Sequence, residues 1–161
     1  MNWYDYPEYY DIAFSWDATG ELDFLERVFR EDVRGDARSI FEPFCGTGRL
    51  AIPLAQRGYR VSGADLNARA IHFARQRCAA AGVTIGLEVG DVCDWSPAEP
   101  VDAIVTLIDS FRHRVADDAA RRAIRAFRRG LRDGGVLVIG LCLGDAADAG
   151  ANRAEWTMER D

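Results

Sequence analysis

The stretch FEPFCGTGRLA, residues 41–51, has the residue types and spacing of a loop that binds a nucleotide-like cofactor. Gly46, Gly48 and Ala51 fit the pattern G-x-G-x-x-G/A, in which glycines let the backbone approach a ligand at the start of a helix. Asp65 follows Gly46 by 19 residues, where a carboxylate can accept both hydroxyl groups of a ribose. On these residues alone, a nicotinamide cofactor and an adenosyl-sulfonium cofactor fit equally well.

Two acidic positions favour the sulfonium cofactor. Glu42 lies at the end of the first predicted strand, four residues before Gly46. A carboxylate there would repel a pyrophosphate, which binds at the positive end of a helix, but would attract the ammonium of an amino-acid tail. Asp91 follows the third predicted strand, where it can hold an adenine amino group, and Val92 is placed to cover the ring.

The elements that must position these residues alternate regularly between strand and helix. Buried apolar runs predict strands over 39–44, 59–64, 84–89, 101–108 and 135–143. Helical spacing predicts helices over 19–32, 48–58, 67–81 and 117–132, with Thr19 and Asn67 as caps and Gly82 as a stop. We expect Asp133-Gly134-Gly135 to be a turn and the last helix to bury Ala119, Ile124, Phe127 and Leu131. This alternation is typical of a doubly wound, mainly parallel α/β sheet, whose ligands bind beyond the carboxyl ends of the strands.

Composition excludes several function classes. The chain has 161 residues and a net charge of −6, which argues against nucleic acid as a partner. All 20 basic residues are arginines, so lysine Schiff-base chemistry and a P-loop lysine are excluded. The four cysteines form no C-x-x-C pair, so we expect no metal site and reduced thiols. We find neither a signal peptide nor an apolar run that could span a membrane, and expect a cytoplasmic protein.

Five stretches together resemble the class I S-adenosylmethionine-dependent methyltransferases. They are FEPFCGTGRL at 41–50, ADLN at 64–67, GDVCDW at 90–95, LIDSFRH at 107–113 and LRDGGVLVIGL at 131–141. Phe44 stands where the family usually has the first glycine of its loop. The resemblance implies a Rossmann-like sheet with strand order 3-2-1-4-5, S-adenosylmethionine as cofactor, S-adenosylhomocysteine as product and a small-molecule methyl acceptor.

The resemblance also implies which residues form the site. Those implied to bind the cofactor are Tyr9, Tyr10, Glu42, Cys45, Gly46, Gly48, Asp65, Leu66, Asp91, Val92, Ile108 and Ser110. Tyr9 or Tyr10 would fold over the cofactor, whereas Ile108, Asp109 and Ser110 would lie near the sulfonium. Asp109 and His113 are the candidates for steering or deprotonating the acceptor.

Family members usually continue past strand five into an antiparallel strand pair. We therefore expect one domain over 1–161, with an aromatic and helical segment at 1–34, a core at 38–143 and the start of an incomplete C-terminal part at 144–161. The edge of strand five would then be open, and we expect it to pair in a homodimer. Two alternative functions are a non-catalytic cofactor-binding fragment or pseudoenzyme and an NAD-dependent oxidoreductase.

Overall fold

The computed structural model describes residues 3–108, 110–113 and 117–141, without the side chains of Trp3, His113 and Asp117. Its helices are α1 (Pro7–Ala13), α2 (Thr19–Asp32), α3 (Ala51–Gln56), α4 (Ala68–Ala81) and α5 (Asp117–Gly130), with 3-10 turns at Trp3–Asp5 and Ser110–His113. Its strands are β1 (Ser39–Pro43), β2 (Arg60–Asp65), β3 (Gly86–Val89), β4 (Val101–Thr106) and β5 (Leu131–Ile139).

The five strands form one sheet in the order β3-β2-β1-β4-β5, and every pair is parallel. This confirms the predicted fold class and strand order. Successive residues of β1 face opposite sides, so Ile40 packs with α2 and α3, whereas Phe41 packs with α5. Since helices cover both faces of β1, the strand is buried along its whole length.

The carboxyl ends of β1, β2 and β4 meet at one edge of the sheet, and their following loops build the site. The helix after β2 begins as predicted, because the Asn67 side chain accepts hydrogen bonds from the backbone N–H groups of Arg69 and Ala70. The same helix ends at Gly82, whose φ of 68° is the left-handed conformation that glycine tolerates. Asp65 and Leu66 are thereby fixed between a strand end and a capped helix.

Two predicted helix details are wrong. Thr19 does not cap α2: it is the first helical residue, and its N–H and hydroxyl donate to Asp17 Oδ1 at 2.9 and 2.6 Å. The N-cap residue is Ala18, which makes no side-chain hydrogen bond, and the Asp17 carboxylate satisfies both donors of Thr19 from two residues upstream. In α5, Phe127 is buried as predicted, but Ile124 is 37% exposed, and Ala123 and Ala126 are buried instead of it.

The predicted turn at Asp133-Gly134-Gly135 is also wrong, because β5 already begins at Leu131. Val101 pairs with Leu131 and Ala103 with Val136, so β5 carries extra residues as a bulge. Gly134 adopts a φ of 78°, which lets the backbone bend there. The last predicted residues of this strand, 142 and 143, and the C-terminal part over 144–161 lie outside the described residues.

Candidate active site

The glycine loop after β1 has three residues in the left-handed backbone region. Gly46 and Gly48 have φ values of 51° and 80°, which glycine adopts without steric cost. Phe44 has a φ of 59°, which costs a bulky side chain roughly 1–2 kcal/mol. This cost explains why the family that the sequence resembles usually has glycine in place of Phe44. Here the ring of Phe44 offsets the cost by packing on the buried cluster that contains Phe41 and Trp95.

Asp65 ties the end of β2 to this loop. Its Oδ2 accepts a hydrogen bond from the Gly46 N–H at 2.9 Å, and its Oδ1 accepts one from the Asn67 N–H at 2.8 Å. A carboxylate has about four lone-pair sites, so two more hydrogen bonds can be accepted. Asp65 also lines the cleft, where hydroxyl groups of a ligand could donate to it.

Glu42 is buried beneath the loop and lacks a full set of partners. Its side chain is 7% exposed, and its Oε2 has no hydrogen-bond partner. Burial raises the pKa of Glu42 to about 8, against the opposing effects of the Arg49 charge and the Ala51 N–H. A buried acceptor without a donor is costly, so the position fits a ligand that brings a positive donor group. The adjoining chamber of about 40 Å³ is large enough for an ammonium-sized group.

The main cleft, of about 430 Å³, lies next to this chamber. It is lined by Tyr4, Pro7, Tyr10, Phe14, Phe44, Gly46, Thr47, Asp65, Leu66, Asn67, Ala70, Ile108 and Ser110. Leu66 is 60% exposed although it is large and apolar, so it offers a hydrophobic surface directly after β2. The size and the mixed aromatic and polar lining are typical of a small-molecule site.

Of the two tyrosines predicted to cover the cofactor, the structure brings only Tyr10 to the cleft. A Cβ placed on Gly46 would lie 3.9 Å from Tyr10 Cε1, so the Tyr10 ring lies over the glycine loop. Burial, together with the nearby Tyr4 and Asp65, raises the pKa of Tyr10 to about 12, which keeps its hydroxyl protonated. Tyr9 is 64% exposed and contacts Tyr6 on the outside of α1.

Besides Tyr9 and Glu42, four predicted cofactor residues lie outside the main cleft. Gly48 forms the turn itself, and Cys45 packs against Gly63 of β2, with its side chain at the inner chamber. Val92 is 1% exposed and belongs to the buried cluster that contains Phe41 and Trp95. Asp91 Oδ1 accepts a hydrogen bond from the Cys93 N–H at 2.9 Å. Their roles toward a cofactor stay predictions.

The loop after β4 forms the opposite wall of the cleft. Ile108 has a φ of 54°, which is unusual for a β-branched residue, and it lines both the cleft and the inner chamber. The Ser110 hydroxyl donates to the Leu107 carbonyl at 3.1 Å. Asp109 lies outside the described residues, and His113 is described only by its backbone, as the last residue of the 3-10 turn.

Sequence reasoning missed two arginines at the site. Arg49 donates to both carboxylate oxygens of Glu21, at 2.6 and 3.0 Å, and its guanidinium lies 5.0 Å from the centre of the Trp16 ring. Arg77 donates to the Thr47 carbonyl at 2.9 Å. Both contacts join residues far apart in the sequence, and no local pattern predicts them.

The described part of the chain has neither a candidate metal site nor a helix that could span a membrane. Within residues 3–108, 110–113 and 117–141, no group of three or more His, Cys, Asp or Glu residues could hold a metal ion. No helix in the same ranges is both long and apolar enough to cross a membrane.

Comparison with known proteins gives consistent matches. A family model described as "Methyltransferase domain" matches residues 40–135, more than half of the chain. The glycine/sarcosine N-methyltransferase of Parasynechococcus marenigrum is 28% identical over 146 residues, which are 84% of this chain and 48% of that protein. The dTDP-4-amino-2,3,4,6-tetradeoxy-D-glucose N,N-dimethyltransferase of Saccharopolyspora spinosa is 29% identical over 141 residues, 84% of this chain and 53% of that protein.

Among solved structures, the sugar N-methyltransferase KedS8 from Streptoalloteichus sp ATCC 53650 has a TM-score of 0.73 and 27% identity. The match covers 86% of this chain and 54% of KedS8. The chain thus spans about half the length of the relatives that it matches.

Proposed function

The chain belongs to the methyltransferase-domain family of class I S-adenosylmethionine-dependent methyltransferases, and from that premise we propose that it transfers a methyl group from S-adenosylmethionine to a small-molecule acceptor. The observation that carries the proposal is the buried, unpartnered Oε2 of Glu42 beneath a glycine loop to which Asp65 is hydrogen-bonded. Membership of this family argues against the NAD-dependent alternative.

The residues at the cleft fit the parts of this cofactor. Glu42 would accept from the ammonium of the methionyl tail in the inner chamber, which removes the cost of its unpaired oxygen. Asp65 would accept from the ribose hydroxyls with its remaining lone pairs. Leu66 would lose its exposed apolar surface against the adenine ring, and the Asp91 carboxylate remains the proposed partner of the adenine amino group.

S-adenosylmethionine supplies a methyl group on a positively charged sulfur, which is a good leaving group without further activation. The protein then has to hold the acceptor in line with the bond between sulfur and the methyl carbon, and to exclude water. Positioning of this kind can lower the activation barrier by on the order of 7–11 kcal/mol. Tyr10, Phe14, Phe44 and Ile108 are suited to this task because they line the cleft with apolar surface.

We propose that the methyl acceptor is the nitrogen atom of an amine. Three relatives described above are N-methyltransferases by name, two of them acting on sugars. Ser110 lies at the cleft and donates its own hydrogen to the Leu107 carbonyl, so its oxygen can accept from an amine N–H. Asp109 and His113 remain the proposed groups for removing the amine proton.

We also propose a cytoplasmic location, supported by the free and buried thiols of Cys45 and Cys78. Pairing of two copies through the edge of β5 stays a prediction, which light scattering tests. A monodisperse monomer would contradict it.

A thermal-shift titration with S-adenosylmethionine, S-adenosylhomocysteine and NAD tests the cofactor. A ligand at about 100 times its Kd adds about 2.7 kcal/mol, which for a domain of this size raises the Tm by roughly 5–10 °C. We expect a shift with both adenosyl-sulfur ligands, a reduced shift in Asp65→Ala, and a normal one in the control Asp36→Ala, whose side chain is 82% exposed.

The outcomes separate the alternatives. A shift with NAD alone would overturn the proposed cofactor, and equal shifts in Asp65→Ala and Asp36→Ala would overturn the proposed site. Binding without turnover, in a screen of amino sugars and small amines followed by mass spectrometry, would favour the pseudoenzyme.

A further inference from the structure

Arg77 on α4 contacts both the glycine loop and the N-terminal helix with one nitrogen. Its Nη1 donates to the Thr47 carbonyl at 2.9 Å and forms an ion pair with Asp11 Oδ1 at 2.7 Å. The contact with Thr47 is a hydrogen bond, and the contact with Asp11 is a pairing of opposite charges. The Arg77 and Asp11 side chains are only 33% and 23% exposed, which reduces the screening of their charges by water.

Each end of this link lies beside a residue of the cleft. Thr47 is 3% exposed and follows Gly46, whose N–H is bound by Asp65. Asp11 follows Tyr10, whose ring lies over Gly46. A shift of α1 relative to α4 would therefore move Tyr10 away from the loop and break the Asp11–Arg77 ion pair. The guanidinium that donates to the loop would then lose the carboxylate that holds it in place.

Two other contacts hold the residues before α1 to the start of α4. The Asn67 Nδ2 donates to the Tyr4 carbonyl, and Arg69 Nη1 donates to the Asp5 carbonyl at 3.1 Å. These contacts hold the 3-10 turn Trp3–Asp5 against α4. The link through Arg77 differs from them because it also includes the glycine loop.

We propose that Arg77 is a positioning residue: with Asp11 and Thr47 it couples closure of the N-terminal helix over the cleft to the shape of the glycine loop, and so slows cofactor release. This inference rests on the proposed function, since it names what retains the cofactor at that same site. Tyr10 closes over the loop only while α1 is held in place, so the Asp11–Arg77 pair acts on binding through Tyr10.

The test is a double-mutant cycle with Asp11→Asn, Arg77→Met and the double variant. Methionine keeps most of the arginine stem and removes the guanidinium. We expect each single variant to raise the Kd for S-adenosylhomocysteine about five- to tenfold, mainly through faster dissociation, as typical coupling energies imply. The double variant should bind S-adenosylhomocysteine no more weakly than the weaker-binding single variant. Arg77→Lys, which keeps a positive charge, should bind it more tightly than Arg77→Met.

Arg75→Met is the matched control. Arg75 lies on the same helix and also donates to a backbone carbonyl, that of Leu87 at 2.7 Å, but on the side of β3. It should therefore lower stability to a similar extent without changing the Kd. Additive effects of Asp11→Asn and Arg77→Met, or an equal loss of affinity in Arg75→Met, would overturn the proposal.

Amide hydrogen exchange of the ligand-free protein separates this proposal from the proposed function. Arg77→Met should accelerate exchange in α1 and at the glycine loop, whereas Arg75→Met should not accelerate exchange in either. If the wild type bound no S-adenosylhomocysteine, the proposed function would fail, and exchange would still decide whether the link exists. Unchanged exchange in both segments would overturn the link itself.

Discussion

Glu42 should lower the stability of the ligand-free protein, increasingly so as the pH rises. Its carboxyl is buried and one oxygen has no partner, so the charged form is disfavoured and the pKa of Glu42 is raised from 4.5 to about 8. The folded protein therefore keeps this proton over a pH range in which the unfolded chain has lost it. By linkage, the stability of the folded state falls as the pH rises from about 4.5 to 8.

The magnitude follows from the two pKa values. Each pH unit in this window changes the free energy of unfolding by about 1.36 kcal/mol. Between pH 4.5 and pH 7 the loss is 2.5 units, or about 3 kcal/mol, and above pH 8 it no longer grows. Domains are stable by only about 5–15 kcal/mol, so this is a large fraction of the total.

The substitution Glu42→Gln isolates this effect, since glutamine has nearly the shape of the protonated acid and cannot ionise. We expect the variant to match the wild type within about 1 kcal/mol at pH 5 and to exceed it by about 3 kcal/mol at pH 7. Urea denaturation at pH 5, 6, 7 and 8 measures the difference. Glu88→Gln, at an exposed position of β3, is the control and should show no such divergence.

Two results would refute the reasoning. A constant difference between Glu42→Gln and the wild type across the pH range would mean that the carboxyl has an ordinary pKa. A variant less stable than the wild type at pH 8 would mean that the Arg49 charge outweighs burial. The same variant should also bind S-adenosylhomocysteine at least tenfold more weakly at pH 7. Glu42 can give up its proton when the ammonium enters, whereas glutamine cannot form the carboxylate that attracts it.

Three further predictions concern residues around the site and the core. Asp65→Ala should raise the Kd for S-adenosylhomocysteine by about tenfold or more in calorimetric titration, because the Gly46 N–H and the ribose hydroxyls lose their acceptor; an unchanged Kd would contradict its assignment. Gly130→Ala should lower the free energy of unfolding by about 1–3 kcal/mol in urea, since its Cβ would lie 2.2 Å from the buried ring of Trp95, whereas Gly20→Ala, with open space around it, should be neutral or stabilising. Asp102→Asn should lower the free energy of unfolding at pH 7 by about 3 kcal/mol: burial alone would raise the pKa of Asp102, but hydrogen bonds from Arg132 and from nearby backbone groups hold it well below 3.8. The stability that this carboxylate provides is present above pH 4 and is lost on acidification, so the difference between wild type and Asp102→Asn should shrink steadily as the pH falls below about 4.

Local signals in the sequence were sufficient for most of the fold. The Asn67 cap and the Gly82 stop are both determined by residues within one turn of the helix end, and the structure confirms both. The strand order followed from family resemblance rather than from propensity. The bulge in β5 could not be predicted from the sequence. A glycine pair after a helix fits a turn as well as a bulge, and only the pairing with β4 distinguishes the two.

The sequence predicted those site residues whose place follows from the order of strands and loops. Glu42 and Asp65 stand at strand ends, and their positions relative to the glycine loop follow from the fold. Arg49 and Arg77 depend on Glu21 and Asp11, which are 28 and 66 residues away and lie on other helices. Charge alone does not select these pairs among the 26 acidic residues of the chain.

Several unfavourable features of the described structure are concentrated at one cleft. Phe44 and Ile108 are the only non-glycine residues with positive φ in the described ranges, and both line it. Glu42 beside them is a buried carboxyl without a full set of partners. Strained backbone and unpaired buried groups persist only where the surrounding structure imposes them, and they cluster at functional sites. A bound cation at Glu42 would remove one of these costs, so the cleft should become more stable when it is occupied, and binding and stability should rise together.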